Sequence, residues 1–227
     1  MIGSLFFEVE GVLARTVALR RAALLRALAE EGFAPSEISE LTLDAGAGTR
    51  DSVRHALRHH AVAADEAALT LIALRADRHF SALVQAGVSL APGARELVQQ
   101  AISSCRLAIV TGLERATVDS LLSLAELDGA FEVIVAAEDV ASAKPSPDAH
   151  RKALERMHRR RPLDVRSALA LESGAAGARA ARAARLRCAI VAPFRAESVP
   201  DADAMLESLV GETVASLDAM LPIEAAG

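Results

Sequence analysis

A chain of 227 residues that is 52% hydrophobic and 24% charged can bury a real core, either as one large domain or as one domain carrying an insert. Its formal net charge of −5 and its lack of Trp and Tyr argue against a nucleic-acid partner, since it has neither a basic field nor large stacking platforms. No apolar run approaches the ~20 residues that a bilayer span needs, and Glu8 and Glu10 fall where a signal peptide would stay apolar, so a cytoplasmic protein with no membrane partner is expected.

The first element is an apolar strand, Phe7-Glu8-Val9-Glu10-Gly11-Val12-Leu13, with two alternate carboxylates and a glycine. Period-two spacing on a strand sends Glu8 and Glu10 to one side, next to an open turn at Gly11. Two acids in one small volume repel unless a cation, a proton or a basic side chain offsets them, which points to metal-assisted chemistry; an edge strand with one solvated face is the plainer alternative.

The next stretch, from about Thr16 to Gln85, carries helical patterns, beginning with Val17-Ala18-Leu19-Arg20-Arg21-Ala22-Ala23-Leu24-Leu25. Residues 15–87 therefore read as a helical insert between two parts of a core domain, 1–14 and 88–227. Within it, His55 and His59 are spaced i, i+4 with His60 adjacent, but Arg54 and Arg58 flank them, and a basic helix face accounts for the pattern. Gly46-x-Gly48 after Leu41-Thr42-Leu43 imitates a dinucleotide loop but lacks its third glycine.

From Pro92 onward helix and strand alternate: 95–103 then 106–110, 116–125 then 131–135, 150–159 then 168–171, 175–184 then 188–191. This order predicts an α/β fold, a Rossmann-like parallel sheet with helices on both faces, with a ligand crevice at the carboxyl ends of the strands. Glu8, Glu10, Thr111, Gly112, Lys144, Glu172 and Ser173 all fall at those ends. Cys105 and Cys188 sit in apolar segments as buried thiols, and no structural disulfide is called for.

The segments Phe-Glu-Val-Glu-Gly-Val-Leu, Ile109-Val110-Thr111-Gly112, Ala143-Lys144-Pro145-Ser146-Pro147-Asp148 and Leu171-Glu172-Ser173-Gly174-Ala175-Ala176-Gly177, in this order, closely resemble the four motifs of the haloacid dehalogenase superfamily. The resemblance covers about Leu5 to Val191 and includes a helical cap after the first motif, as in the branch with beta-phosphoglucomutase and phosphoglycolate phosphatase. It implies a Mg²⁺-dependent phosphatase acting on a small phosphorylated metabolite, as a monomer or homodimer. Glu8 is then the nucleophile and Glu10 the acid/base, with Mg²⁺ held by Glu8, the backbone carbonyl of Glu10, Glu172 and the Ser173 position. Thr111, Gly112, the turn at Gly11 and Lys144 would receive the phosphoryl group. Lys144 and Lys152 are the only lysines among 25 basic residues, and a compact ammonium fits between Glu8 and a phosphate oxygen where a guanidinium does not. A helix N-cap near Glu114 is a second use for Thr111. In the cap, the loop Ala45-Gly46-Ala47-Gly48-Thr49-Arg50-Asp51-Ser52 resembles the one whose arginine, here Arg50, meets the substrate phosphate.

The chain also departs from the family pattern. Glu8 and Glu10 stand where the family has two aspartates, so each carboxylate is one methylene too long. Ser173 stands where the family has an acid, and Arg20, which the resemblance makes a candidate substrate-binding residue, where the phosphoglucomutases have a histidine. Arg15 stands where many relatives have an acid, and pairing with Glu8 or Glu10 in the metal's place is the option it opens. A misplacement of ~1 Å costs about 10²-fold in rate, so two lengthened acids cost about 10⁴-fold together if independent. A catalytically degenerate ligand-binding or interaction module and a phosphomutase are the alternatives, the latter disfavoured because guanidinium is no base near neutral pH.

Overall fold

Runs of Val, Ile, Leu and Ala that are buried on both faces cannot leave a sheet face in water, and they assemble here as the middle layer of three. In the computed structural model, which describes residues 1–33, 48–59, 65–192 and 199–221, six parallel strands lie in the order β3-β2-β1-β4-β5-β6. They are β1 (Ser4–Phe7), β2 (Arg106–Val110), β3 (Val133–Val135), β4 (Ala168–Glu172), β5 (Arg187–Val191) and β6 (Ala204–Leu206). The α/β, Rossmann-like expectation is met. In register, Phe7 stands beside Ile109 on one side and Leu171 on the other.

Alternation along each strand divides the core. Leu5, Phe7, Leu107, Ile109, Leu169 and Leu171 face α4 (Ala94–Ala101), α5 (Arg115–Leu124) and α8 (Val214–Met220). Phe6, Ala108, Val110, Ala168, Ala170 and Ile190 face α6 (Asp148–Arg160) and α7 (Ala175–Ala183). The second face is alanine-rich, which brings α6 and α7 close to the sheet. Between β1 and β2 the chain forms α1 (Val17–Glu30), α2 (Thr49–His59) and α3 (Glu66–Ala86), which pack on one another through Leu24, Leu28, Val53, Leu57, Leu69 and Ile72. Phe80 and Val84 of α3 join the core beneath α5.

Two expectations are corrected by this architecture. The first strand ends at Phe7, so Glu8 and Glu10 stand on the loop that follows it and period-two geometry does not govern them. The sheet also gains β6 and the molecule gains α8, neither of which the sequence pattern announced. Residues 45–47 of the loop expected to belong to a cap, the 41–43 segment and His60 lie outside the described residues. Among the described residues no helix is long and apolar enough to cross a membrane.

A polar clamp ties β3 to the flanking helices. Asp139 takes hydrogen bonds from Arg156 at 2.6 Å, Arg115 at 2.8 Å and the Ala136 amide at 2.9 Å. Chiefly through Arg156, these hold its carboxyl down at about 2 against the upward push of partial burial. The folded value lies below the unfolded one, so this contribution is present above pH ~4 and lost as pH falls toward 2. Asp139→Asn is expected to cost about 1 kcal/mol at neutral pH, after discounting for partial exposure, and almost nothing near pH 2. Urea denaturation of both proteins across that pH range measures it.

Candidate active site

The sheet order reverses direction between β1 and β4, and the crevice at such a switch point opens at the carboxyl ends of the strands. Three strand ends deliver side chains to it: Glu8 after β1, Thr111 after β2 and Glu172 at the end of β4. The loop before α6 brings Lys144 across from the far side. All four are buried.

Lys144 Nζ sits between the acids, 2.7 Å from Glu8 Oε2 and 2.6 and 2.8 Å from the two oxygens of Glu172, and it also donates to the Val110 carbonyl at 3.0 Å. Burial alone would lower the Lys144 pKa, but Glu172 and Glu8 more than offset that and hold the ammonium above its ordinary value. Glu8 Oε1 accepts from the Val9 amide at 2.6 Å and from the Thr111 hydroxyl. Burial raises the Glu8 carboxyl, and the neighbouring Glu172 and Glu10 add to the rise that Lys144 opposes. Burial pushes the Glu172 carboxyl up as well, but the ammonium shared by both its oxygens outweighs that and holds it below its ordinary value.

Glu10 turns elsewhere. Its Oε1 accepts from Arg20 Nε at 2.7 Å in a buried ion pair, and Arg20 lies 5.0 Å from the centre of the Phe80 ring. Arg20 donates onward to Thr49 Oγ1 at 2.6 Å, which bonds Asp77. Glu10, Arg20, Thr49 and Asp77 thus form a polar chain running from the carboxyl end of the sheet into α1, α2 and α3.

The two acids are thus offset by basic side chains, each by its own. The cation beside Glu8 is Lys144, which bridges Glu8 and Glu172. Arg15 is exposed, and no ion pair from it to Glu8 or Glu10 occurs among the described residues; its side chain lines a separate cavity with Val17, Pro92 and Glu207. Arg50 pairs with Glu66 on the surface of α2 and α3. The N-cap of α5 is Glu114, and Thr111 instead accepts the Leu113 amide at 3.3 Å. Gly11 adopts a φ of +78°, and a Cβ there would come within 2.9 Å of the Ser173 Cβ, so the turn and Ser173 are in close contact.

His150 was not singled out from the sequence. It is fully buried on α6, its Nε2 lies 2.9 Å from Glu172 Oε1 off the hydrogen-bond direction, and burial lowers its pKa. A signal was available, since His150, Ala153 and Met157 repeat at i, i+3, i+7 on one buried stripe. Above this floor lies a cavity of about 460 Å³, lined by Thr111, Gly112 and Lys144 below and by Thr49, Arg50 and Asp77 of α2 and α3 above.

A divalent cation finds little here. Among the described residues no group of three or more His, Cys, Asp or Glu is arranged to hold a metal ion. Both oxygens of Glu172 and Oε2 of Glu8 are on Lys144, and the Glu10 carboxylate is on Arg20, which leaves Glu10 only its neutral backbone carbonyl to offer. The buried Ser173 hydroxyl, without a hydrogen-bond partner, is a neutral oxygen. Mg²⁺ needs an octahedron of oxygens at ~2.0–2.1 Å with carboxylate charge among them, and this donor set does not fit it.

A model of the haloacid dehalogenase-like hydrolase family matches residues 5–185. The chain belongs to that family. Among haloacid dehalogenase-like proteins it is 32% identical over 239 residues to CbbY of Cereibacter sphaeroides, covering 98% of this chain and 100% of that one. The crystal structure of CbbY from Rhodobacter sphaeroides in complex with phosphate superposes with a TM-score of 0.79 at 32% identity, covering 96% of this chain and 100% of that one. A CbbY mutant in complex with xylulose-1,5-bisphosphate gives 0.80 at 31%, covering 96% and 99%. Beta-phosphoglucomutase from Clostridium difficile, at 16% identity, 97% coverage of each chain and a TM-score of 0.79, shares the fold. Hydrolases of this family typically use Mg²⁺.

Proposed function

We propose that the chain is a phosphomonoesterase acting on a small phosphorylated metabolite of the sugar-phosphate kind. The observation that carries this reading is that Thr111 and Lys144 line the floor of a cavity roofed by α2 and α3 while both bond to Glu8, buried just behind them. The CbbY relatives, solved with phosphate and with a sugar bisphosphate, supply the substrate class.

In this reading Glu8 attacks phosphorus, forming an O–P bond as the ester O–P bond breaks, and water then hydrolyses the acyl phosphate. Thr111 and Lys144 keep Glu8 aimed and, with the Gly112 amide, steady the charge on the transferring group. Glu10 is the acid/base, constrained by Arg20. No step is assigned to Mg²⁺, which the donor set does not fit.

Phosphate release across a broad panel of phosphate esters, wild type against Glu8→Gln, tests the proposal. Turnover that falls to background in Glu8→Gln is expected; equal rates in the two proteins sink it. A non-catalytic ligand-binding module is the second reading, favoured by a Glu8 with no exposed surface and donors on both oxygens, and wild-type protein without turnover would select it. Mutase chemistry finds no support, because Arg20 is bound to Glu10 and cannot serve as a base.

A further inference from the structure

We propose that in this chain the Lys144 ammonium takes the place of a divalent cation, so that the site binds phosphate without Mg²⁺. The inference rests on the reading above that the cavity floor receives a phosphoryl group, and it goes further in assigning how that floor is charged.

The argument begins with the space between the two acids. Nζ lies 2.7 Å from Glu8 and 2.6 and 2.8 Å from Glu172, and the Val110 carbonyl fixes it from a third direction. A metal ion that used the same oxygens of both acids would crowd that ammonium, a like charge. Glu172 has no other direction to turn. His150 lies 2.9 Å from its Oε1, and a Cβ at position 177 would lie 2.0 Å from its Oε2, so the carboxylate is wedged against the backbone of α7. Gly177 is what makes room for it.

The remaining positions lead to the same conclusion. Glu10 accepts from Arg20 at 2.7 Å, and Ser173 contributes a hydroxyl with no charge. Three buried carboxylates are met by two fixed cations, leaving one residual negative charge instead of the three that would draw in a divalent ion. The protein has built its countercharge from side chains.

Inorganic phosphate binding to the full chain, measured by calorimetry in chelator and in excess Mg²⁺, tests this. The two dissociation constants are expected to agree within about twofold, and the unfolding midpoint of ligand-free protein is expected not to move with Mg²⁺. The charge-balanced double variant Lys144→Met/Glu172→Gln removes one cation with one acid, which guards against a misfolded readout, and is expected to bind phosphate at least about tenfold more weakly in chelator. Mg²⁺ that tightens phosphate binding tenfold or raises the wild-type midpoint overturns the inference. So does wild-type protein that binds no phosphate in either condition, or a double variant that binds as tightly as wild type. Metal-free phosphate binding without ester turnover would uphold the inference while removing the phosphomonoesterase reading, and Mg²⁺-dependent turnover would do the reverse.

Discussion

Lys144→Met is expected to destabilise the protein by about 3–5 kcal/mol, read as a shift in the urea midpoint. The ammonium is almost wholly buried, and the two carboxylates it joins are more so. Methionine fills nearly the same volume, so packing alone would cost less than ~1.5 kcal/mol. The larger figure comes from leaving Glu8 and Glu172 charged, dry and facing each other. Two consequences separate this cause from a generic core defect. Adding Glu172→Gln to Lys144→Met should recover part of the loss, because one uncompensated charge is gone, and the double-mutant cycle then gives a large coupling. The gap to wild type should also narrow as pH falls: without the ammonium both acids sit above their unfolded pKa values, and the folded state gains by taking up protons. A loss under ~1.5 kcal/mol with no coupling would show that the triad contributes packing only.

How this cluster could be anticipated, and how it could not, follows from what each residue's neighbours do. The core strands were legible because a parallel strand buried on both faces needs a nearly continuous apolar run: 106–110 and 188–191 are such runs, and they became β2 and most of β5. β6 was not, since Ala204–Leu206 is three residues long and flanked by Asp203 and Glu207, and only pairing with β5 makes it a strand. The site was legible as a set of strand-end residues, because a parallel sheet brings its carboxyl ends together whatever lies between them in sequence. Which charge meets which was not. Lys144 is expected beside Glu8 and lies there, but its contact with Glu172, 28 residues further on, is not readable from spacing. Arg20 reads from the sequence as the loss of a histidine base, yet in the fold it neutralises Glu10. Such pairings are decided by a methylene of reach and by how loops close, and neither is written in residue spacing.

The Arg20–Glu10 pair sets the second large expectation: esters with acidic leaving groups are hydrolysed at least about 10²-fold faster, in kcat/KM, than primary alkyl phosphates. A positioned general acid contributes typically 10²–10⁴-fold where the departing oxygen needs a proton, and nothing where it does not. To act as that acid, Glu10 must first take up a proton and give up a buried ion pair at 2.7 Å. Arg20 cannot easily swing aside to allow it, since Phe80 lies beneath the guanidinium and Thr49 holds its far end. Glu10 enters the second half of the cycle already in the form required, a carboxylate that takes a proton from water, although that step also weakens its pair with Arg20. Aryl phosphates, acyl phosphates and anomeric sugar phosphates, whose leaving oxygen is already acidic, should therefore be processed. Sugar phosphates esterified at a primary alcohol should lag. Arg20→Gln frees the carboxylate to carry a proton, so the ratio between aryl and alkyl substrates should shrink, mainly through faster alkyl hydrolysis. Comparable wild-type rates on both classes, or an Arg20→Gln variant in which both fall in proportion, would mean that Arg20 only holds the helices over the cavity and that Glu10 gains its proton by another route.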